Sequence, residues 1–396
     1  MAKDMSDRGG YRQGFALPRG FYTDPAIYER DIKSYWNQSW IWAGHISQLP
    51  EPGDYFLFDY GPESIIIVRG KDGEIRAHLN VCRHRGSRVC TQTKGNARLF
   101  VCPYHAWTFD LDGQLLGGRA MGPDFDPGEW GLFPAHLRIF EGLIFICTAD
   151  VPPPIDDALE RLRPLAAPFD LANLRVAHEA SYPVPANWKL ALENYMECYH
   201  CAPSHLEFAR SHTLKDPRDV AALRPALAAR SKAIGLGTSE IAETGANAAA
   251  LGADIFWRRY PLFEGYDTGS KSGAGLAPLL GTLTGYDGGA TDLEIGQLNN
   301  LLIYCDHVVG YRFIPRGLQQ TDIQVVWYVR GDAEPGREYD LEALTWLWHV
   351  TSLDDERIIR HNQAGVNSHH FHPGPLSEME WGIDGFYHGY IARLEA

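Results

Sequence analysis

The apolar positions change period several times along the chain. Ile27, Ile32, Tyr35, Trp36 and Trp40 recur at helical spacing, which predicts an amphipathic helix over residues 26–42 inside an entry segment, residues 1–48, that packs on the larger, C-terminal part. From Gly53 the period falls toward two. Strands are expected at 55–58, 64–68, 74–79, 99–101, 107–109 and 143–146, with turns such as Gly70-Lys71-Asp72-Gly73 and Asp110-Leu111-Asp112-Gly113 between them. Such spacing predicts a small all-β domain over residues 49–150. Val151-Pro152-Pro153-Pro154 then marks a boundary.

Beyond it the pattern is mixed. Helical periods run over 156–165, 186–201 and 341–363, and strand patterns over 299–306, 308–314 and 322–329. Residues 219–253 are Ala-rich and partly helical, interrupted by Gly235, Gly237 and Gly245. Residues 264–289 are rich in Gly, Ser and Thr and predict a loop covering something, with 217–289 a candidate lid. The fold class that follows is α+β: a small all-β domain, then a larger domain of antiparallel sheet and helices over residues 151–396. No phosphate-binding glycine loop of either common type occurs, so no nucleotide or flavin site is expected in this chain.

Composition narrows the function. A formal charge of -14 over 396 residues argues against nucleic-acid binding and is compatible with a cationic substrate or a basic protein partner. No apolar run reaches the roughly 18 residues of a membrane span, and the first ten residues lack a signal-peptide core, so a cytoplasmic protein is expected. The seven cysteines, odd in number and mostly near histidines, suit metal ligation better than a disulfide frame.

Two constellations carry that chemistry. Cys82-x-His84 and Cys102-x2-His105 each place one Cys and one His at the end of a predicted strand. Structural zinc sites usually group Cys with Cys and His with His. The alternation suits a [2Fe-2S] cluster with two thiolates on one iron and two imidazoles on the other, an electron relay of raised potential. Cys90, between the two loops, reads as a buried thiol, and Tyr104 and Trp107 as covers over the cluster.

The second constellation is Glu197, His200 and His205. On the predicted helix 187–201, Glu197 and His200 share a face, while His205 is rotated about 140° from His200, so a break near Pro203 is required for both rings to reach one ion. Two His need one carboxylate to make the open face that holds non-haem Fe(II). Asp355 and Asp354 both lie on partly apolar stripes of the helix 341–363, and periodicity barely separates them.

These motifs, in this order, resemble the large subunit of Rieske-type non-haem iron oxygenases over nearly the whole chain. Asn187-Trp188-Lys189-Leu190, Glu193-Asn194-x2-Glu197-Cys198-Tyr199-His200-Cys201 and Asn80-Val81-Cys82-Arg83-His84-Arg85-Gly86 are similar to the branch acting on quaternary amines: glycine betaine and stachydrine demethylases, choline and carnitine monooxygenases. Asn362-Gln363-x-Gly365 and Pro373-Gly374-Pro375 agree, and Gln363, eight residues past the acid, selects Asp355.

The resemblance implies a head-to-tail homotrimer, in which Glu197 links His105 of a neighbouring subunit to His200. Ring-hydroxylating members carry Asp there, so the Glu departs from them and matches the amine branch. It also implies O2 as oxidant and NAD(P)H electrons through a separate flavin and iron-sulfur reductase. The expected reaction is hydroxylation of an N-methyl group, with loss of formaldehyde. For a methylated ammonium group, aromatic faces are the expected partners more than carboxylates. Tyr195, Tyr199, Trp257, Tyr260, Phe263, Tyr266, Tyr304 and Phe313 are the candidates, and Arg258, Arg259, Arg312 or Lys271 would meet a substrate carboxylate. The same irons could instead hydroxylate or O-demethylate an aromatic substrate, and a non-enzymatic electron-transfer or zinc protein would lack the mononuclear site.

Overall fold

A computed structural model of the chain describes residues 10–243 and 254–395, so part of the Ala-rich stretch lies outside the described residues. The chain divides into two compact units, Met1–Ser39 with Pro153–Ala396, and Trp40–Pro152.

The entry segment starts with α1 (Gly20–Thr23) and α2 (Pro25–Arg30), the latter capped by Asp24, whose carboxylate accepts from Ala26 N at 2.8 Å. The helix expected through residue 42 stops early. It widens into a π-helical turn, Asp31–Trp36, and β1 (Ile41–His45) follows as a strand buried on both faces. The buried Asp31 carboxylate explains the local distortion: it takes the Lys189 ammonium, Trp188 Nε1 at 3.1 Å and the Tyr390 hydroxyl, which hold this turn against two later helices. Residues 40–48 therefore belong to the smaller unit rather than to the entry segment.

The smaller unit is all-β. Its strands are β1, β2 (Asp54–Tyr60), β3 (Glu63–Arg69), β4 (Ile75–Leu79), β5 (Lys94–Asn96), β6 (Phe100–Val101), β7 (Thr108–Phe109), β8 (Leu115–Gly117), β9 (His136–Phe140) and β10 (Leu143–Cys147). They form sheets in the orders β1-β10-β9, β4-β3-β2-β5 and β6-β7-β8. A core of Ile66, Val68, Phe100, Trp107 and Phe109 includes the buried Cys82, Cys90 and Cys102.

After α3 (Asp156–Ala166), the larger unit is built on β11 (Leu174–Val184), α4 (Trp188–Tyr195), the short α5 (Cys201–Ser204) and α6 (Leu206–Ser211), and α7 (Pro217–Ala233). β12 (Ile241–Glu243), β13 (Ile255–Pro261), β14 (Gly289–Ile295), β15 (Asn300–Ile303), β16 (Val308–Gly317) and β17 (Gln320–Arg330) follow, then α8 (Leu341–Val366) and α9 (Trp381–Glu395). The seven strands make one antiparallel sheet, β11-β17-β16-β15-β14-β13-β12. Register sets Arg258 opposite Asp292, Phe256 opposite Glu294 and Asp292 opposite Leu302, so alternate residues of neighbouring strands share a face.

Helix α4 is shorter than its apolar pattern. It begins at the cap Asn187, whose side chain accepts from Lys189 N, and ends at Tyr195. Glycine on α9 allows the close approach beyond that end: a Cβ at Gly382 would stand 2.4 Å from Met196 O. The Gly-rich stretch 264–288 is tied to Asp306, which accepts from Thr268 Oγ1 at 2.8 Å and Leu276 N at 2.7 Å. Among the described residues, no helix is long and apolar enough to cross a membrane.

Candidate metal centres and substrate cavity

The first constellation stands on two matched turns. Gly86 N donates to Cys82 O at 2.9 Å and Ala106 N donates to Cys102 O at 3.0 Å. Gly86 (φ 75°) and Ala106 (φ 58°) both take the left-handed conformation that closes such a turn, which costs the alanine some strain. The turns bring like ligands together. Cys82 and Cys102 are buried and within hydrogen-bond reach of each other, and burial first, then the neighbouring thiol, raises the Cys82 pKa. The His84 and His105 rings lie 4.6 Å apart on the outer side. Trp107 is buried and stacks under His84 at 4.9 Å, whereas Tyr104 lies 3.8 Å from His105 but is 54% exposed, so the expected cover is Trp107 more than Tyr104.

In the second constellation the break in the helix falls at Met196, not at Pro203, which lies inside α5. Glu197 helps to make it: its carboxylate accepts from the backbone N–H groups of Tyr199 and His200, drawing them away from a helical ladder. Glu197 Oε1 also sits 2.5 Å from His200 Nδ1, so the two meet across a turn rather than along a helix face. Cys198 and Cys201, on either side of His200, are joined as a disulfide, where the sequence favours metal ligation over a disulfide frame; the other five cysteines form no disulfide and are buried.

His200, His205 and Asp355 converge, with ligand atoms all within 4.8 Å of one another. His205 Nε2 is 3.0 Å from His200 Nε2 and 2.9 Å from Asp355 Oδ1, and His200 Nε2 is 3.5 Å from Asp355 Oδ1. Three donors on one face of an octahedron with bonds of about 2.1 Å stand about 3 Å apart, so the set fits a single ion. Asp355 Oδ1 is buried without a hydrogen bond of proper geometry, as a ligand atom would be. Asp354 takes a different position: its Oδ2 is 3.7 Å from His205 Nδ1, behind the ring, and it also pairs with Arg357. Burial alone would lower the His200 pKa. Asp355 and Glu197 outweigh it and hold the pKa at about 9, so the site favours positive charge. Burial raises the Asp355 carboxyl, but the two histidines more than offset it.

The three residues stand in the wall of a cavity of about 480 Å³. Phe208, Trp348 and Leu302 supply apolar surface, and Tyr195, Tyr260 and Arg258 also line it.

A Rieske [2Fe-2S] domain model matches residues 39–140, and a model for the ring hydroxylating alpha subunit (catalytic domain) matches residues 171–262 and 299–396. The chain is 38% identical over 399 residues to the glycine betaine monooxygenase oxygenase subunit of Chromohalobacter salexigens, with 97% of this chain and 88% of that protein covered. The chain belongs to the Rieske-type non-haem iron oxygenases. It is also 35% identical over 204 residues to the carnitine monooxygenase oxygenase subunit of Escherichia coli, covering 50% of this chain and 54% of that one. A solved quaternary ammonium Rieske monooxygenase shares the fold with a TM-score of 0.73 at 23% identity, over 96% of this chain and 95% of that chain. Naphthalene 1,2-dioxygenase does so with a TM-score of 0.71 at 20% identity, over 97% and 94%. As a Rieske oxygenase, the chain carries a [2Fe-2S] cluster and a mononuclear iron and consumes dioxygen and electrons.

The aromatic candidates divide by strand alternation. Tyr195 and Tyr260 line the oxygenase cavity. Trp257 and Arg259 point to the opposite face of the sheet: Trp257 packs 6.2 Å from Phe169, and Arg259 is paired with Asp287. Tyr199 is 59% exposed, Phe263 lies under Lys215 Nζ at 4.9 Å, and Lys271 lies over Trp346. Tyr304 is set back behind His212, to whose Nε2 its hydroxyl lies at 2.7 Å, and Phe313 behind Tyr195. Arg312 is buried outside the cavity lining, and neither Tyr266 nor any other residue of 264–289 forms part of it. Sequence reasoning missed Asp292 and Glu294, which line the cavity from β14. Their one visible signal was alternation with Thr291, Leu293 and Ile295, and a charged face in that pattern reads as solvent-facing.

Proposed function

We propose that this Rieske oxygenase is the oxygenase component of a quaternary-amine N-demethylase, acting on a betaine-like or stachydrine-like methylated amine. The observation that carries the substrate class is the 38% identity along 97% of the chain to a glycine betaine monooxygenase oxygenase subunit. The acid-lined cavity supports it.

His200, His205 and Asp355 would hold the mononuclear iron on one face, and Cys82, Cys102, His84 and His105 the cluster. Bound there, the iron supplies activation of dioxygen, with electrons arriving through the cluster. The chain's own groups do the positioning. Glu197 accepts a hydrogen bond from His200 Nδ1–H and so leaves Nε2 free as the ligand atom, while Asp354, 3.7 Å from His205 Nδ1, places its charge behind that ring. Phe208 and Trp348 keep water from the reacting methyl group. One oxygen atom enters a C–H bond of an N-methyl group, two electrons and two protons reduce the other to water, and the hydroxymethylamine releases formaldehyde.

A separate NAD(P)H reductase, a homotrimer in which Glu197 faces the neighbour's cluster, and a cytoplasmic location belong to the same reading. It is tested by supplying the holoenzyme with a reductase, dioxygen and either methylated betaines or aromatic acids and ethers. Formaldehyde is expected from the betaines. Formaldehyde from aryl ethers with none from quaternary amines would reject it.

A further inference from the structure

The wall of β14 carries two carboxylates whose charge is offset only in part, by Arg258 across the ladder from Asp292. Asp292 and Glu294, two apart on one strand, face the cavity together and are partly accessible through it. Neither forms an ion pair among the described residues, and Asp292 Oδ1 is buried with no hydrogen-bond partner. The obvious partner is engaged elsewhere. Arg258 lies directly across the ladder from Asp292, yet its Nε is 3.2 Å from Glu240 and its guanidinium sits over the Phe256 ring at 5.1 Å. Burying an uncompensated carboxylate is costly, and two side by side more so. Burial accordingly pushes the Asp292 carboxyl up to about 7. It raises Glu294 well above the ordinary range, with Asp292 adding to the effect.

Aromatic surface borders the pair. Tyr195 and Tyr260 line the same cavity, and the buried Tyr195 hydroxyl also lacks a partner. Burial first, then Asp292 and Glu294, raises the Tyr195 pKa, which places this ring within the field of both acids. Of the other carboxylates in the cavity wall, Glu197 and Asp355 are committed to His200 and His205.

The geometry points to Asp292 and Glu294 as the residues that select a cationic substrate, holding its ammonium group beside the Tyr195 and Tyr260 rings. A tetraalkylammonium ion offers no hydrogen bond, so negative charge and ring faces are the two means of recognising it, and this wall supplies both once the arriving cation draws the carboxyls into their ionised form. The inference rests on the proposed N-demethylase reading and adds the determinant of charge specificity to it. It adds two carboxylates to the aromatic faces expected from the sequence.

The test compares ligand pairs of equal shape and different charge, bound to the oxidised holoenzyme without reductant and measured by calorimetry. Trimethylglycine is paired with 3,3-dimethylbutyrate, and choline with 3,3-dimethylbutanol. The wild-type protein is expected to favour the ammonium member of a pair by roughly tenfold or more. Asp292→Asn/Glu294→Gln should abolish that preference, with iron content and the cluster spectrum unchanged. Each single variant should weaken it, which keeps the test open if the double variant does not fold. Equal binding of ammonium and carbon isostere by the wild type, or a preference kept by the variants, would overturn the inference. Formaldehyde release separates the two claims: demethylation of amines by variants that still discriminate charge sinks this assignment alone. Charge discrimination without demethylation of any amine sinks the proposed function and leaves the assignment standing.

Discussion

The two metal constellations differ in how much of the fold each needs. The first is assembled by two turns within residues 82–106, closed by the same hydrogen bond from Gly86 to Cys82 and from Ala106 to Cys102. The second needs a turn after α4, the start of α6 and the middle of α8, brought together from residues 200, 205 and 355. A site made of local turns survives damage elsewhere in the chain. A site assembled across the sheet and helices reports every change in their packing.

The largest effect should come from breaking the second site directly. His205→Ala removes a ring that is buried and lies 3.0 Å from its fellow histidine and 2.9 Å from Asp355. Iron analysis should show loss of one of about three irons per chain, with labile sulfide and the cluster's absorption unchanged, and turnover should fall by more than about 100-fold. Retained turnover would remove this ligand set. Asp355→Asn is expected to behave alike.

Smaller effects should follow from the acids behind the histidines. Glu197→Gln keeps an acceptor near His200 Nδ1 but removes its charge, so both centres should stay occupied while turnover falls by about 10–100-fold. Loss of the mononuclear iron with Asp355 intact would instead make Glu197 a ligand. Asp354→Asn should cost less, about 10-fold or under, because Asp354 is 3.7 Å from His205 Nδ1, is 40% exposed and shares its charge with Arg357. Steady-state rates alongside metal analysis would order the two acids, and an Asp354 effect larger than that of Glu197 would reverse their roles.

The same contrast governs what could be read from sequence. Cys82, His84, Cys102 and His105 were legible because ligand spacing and strand ends are local properties. The strands 54–60 and 63–69 were also legible, since their alternation is bounded by turns. Asp355 could not be separated from Asp354 by periodicity, because which of two adjacent acids faces the cavity depends on how α8 rotates against α4 and α6. Helix α4 is shorter than its apolar pattern because Tyr195 and Tyr199 keep a helical spacing, while the Glu197 side chain, invisible to that pattern, takes the backbone N–H groups that would continue it. β14 is hard to recognise from sequence for a related reason: its two acids face a cavity that exists only after α4 and α8 cover the sheet. In β13, Arg258 and Arg259 lie on opposite faces and hide the alternation.

The smallest effect sharpens the first site. Cys90 shares a buried cluster with Cys82 and Cys102, so proximity alone does not exclude it as a ligand. Its backbone is engaged differently: its N–H donates to Asn80 Oδ1 at 2.8 Å and its carbonyl accepts from Asn80 Nδ2 at 2.8 Å, outside the two ligand turns. Burial pushes its thiol up to about 12, and burial also raises Cys82, so the backbone geometry and not the acidity separates the two. Cys90→Ala should therefore cost about 1 kcal/mol of stability from the small void it leaves, read from thermal unfolding. Sulfide content and the visible absorption of the cluster should not change. Loss of the cluster in this variant, with the fold intact by circular dichroism, would mean that the local turns do not define the first site by themselves.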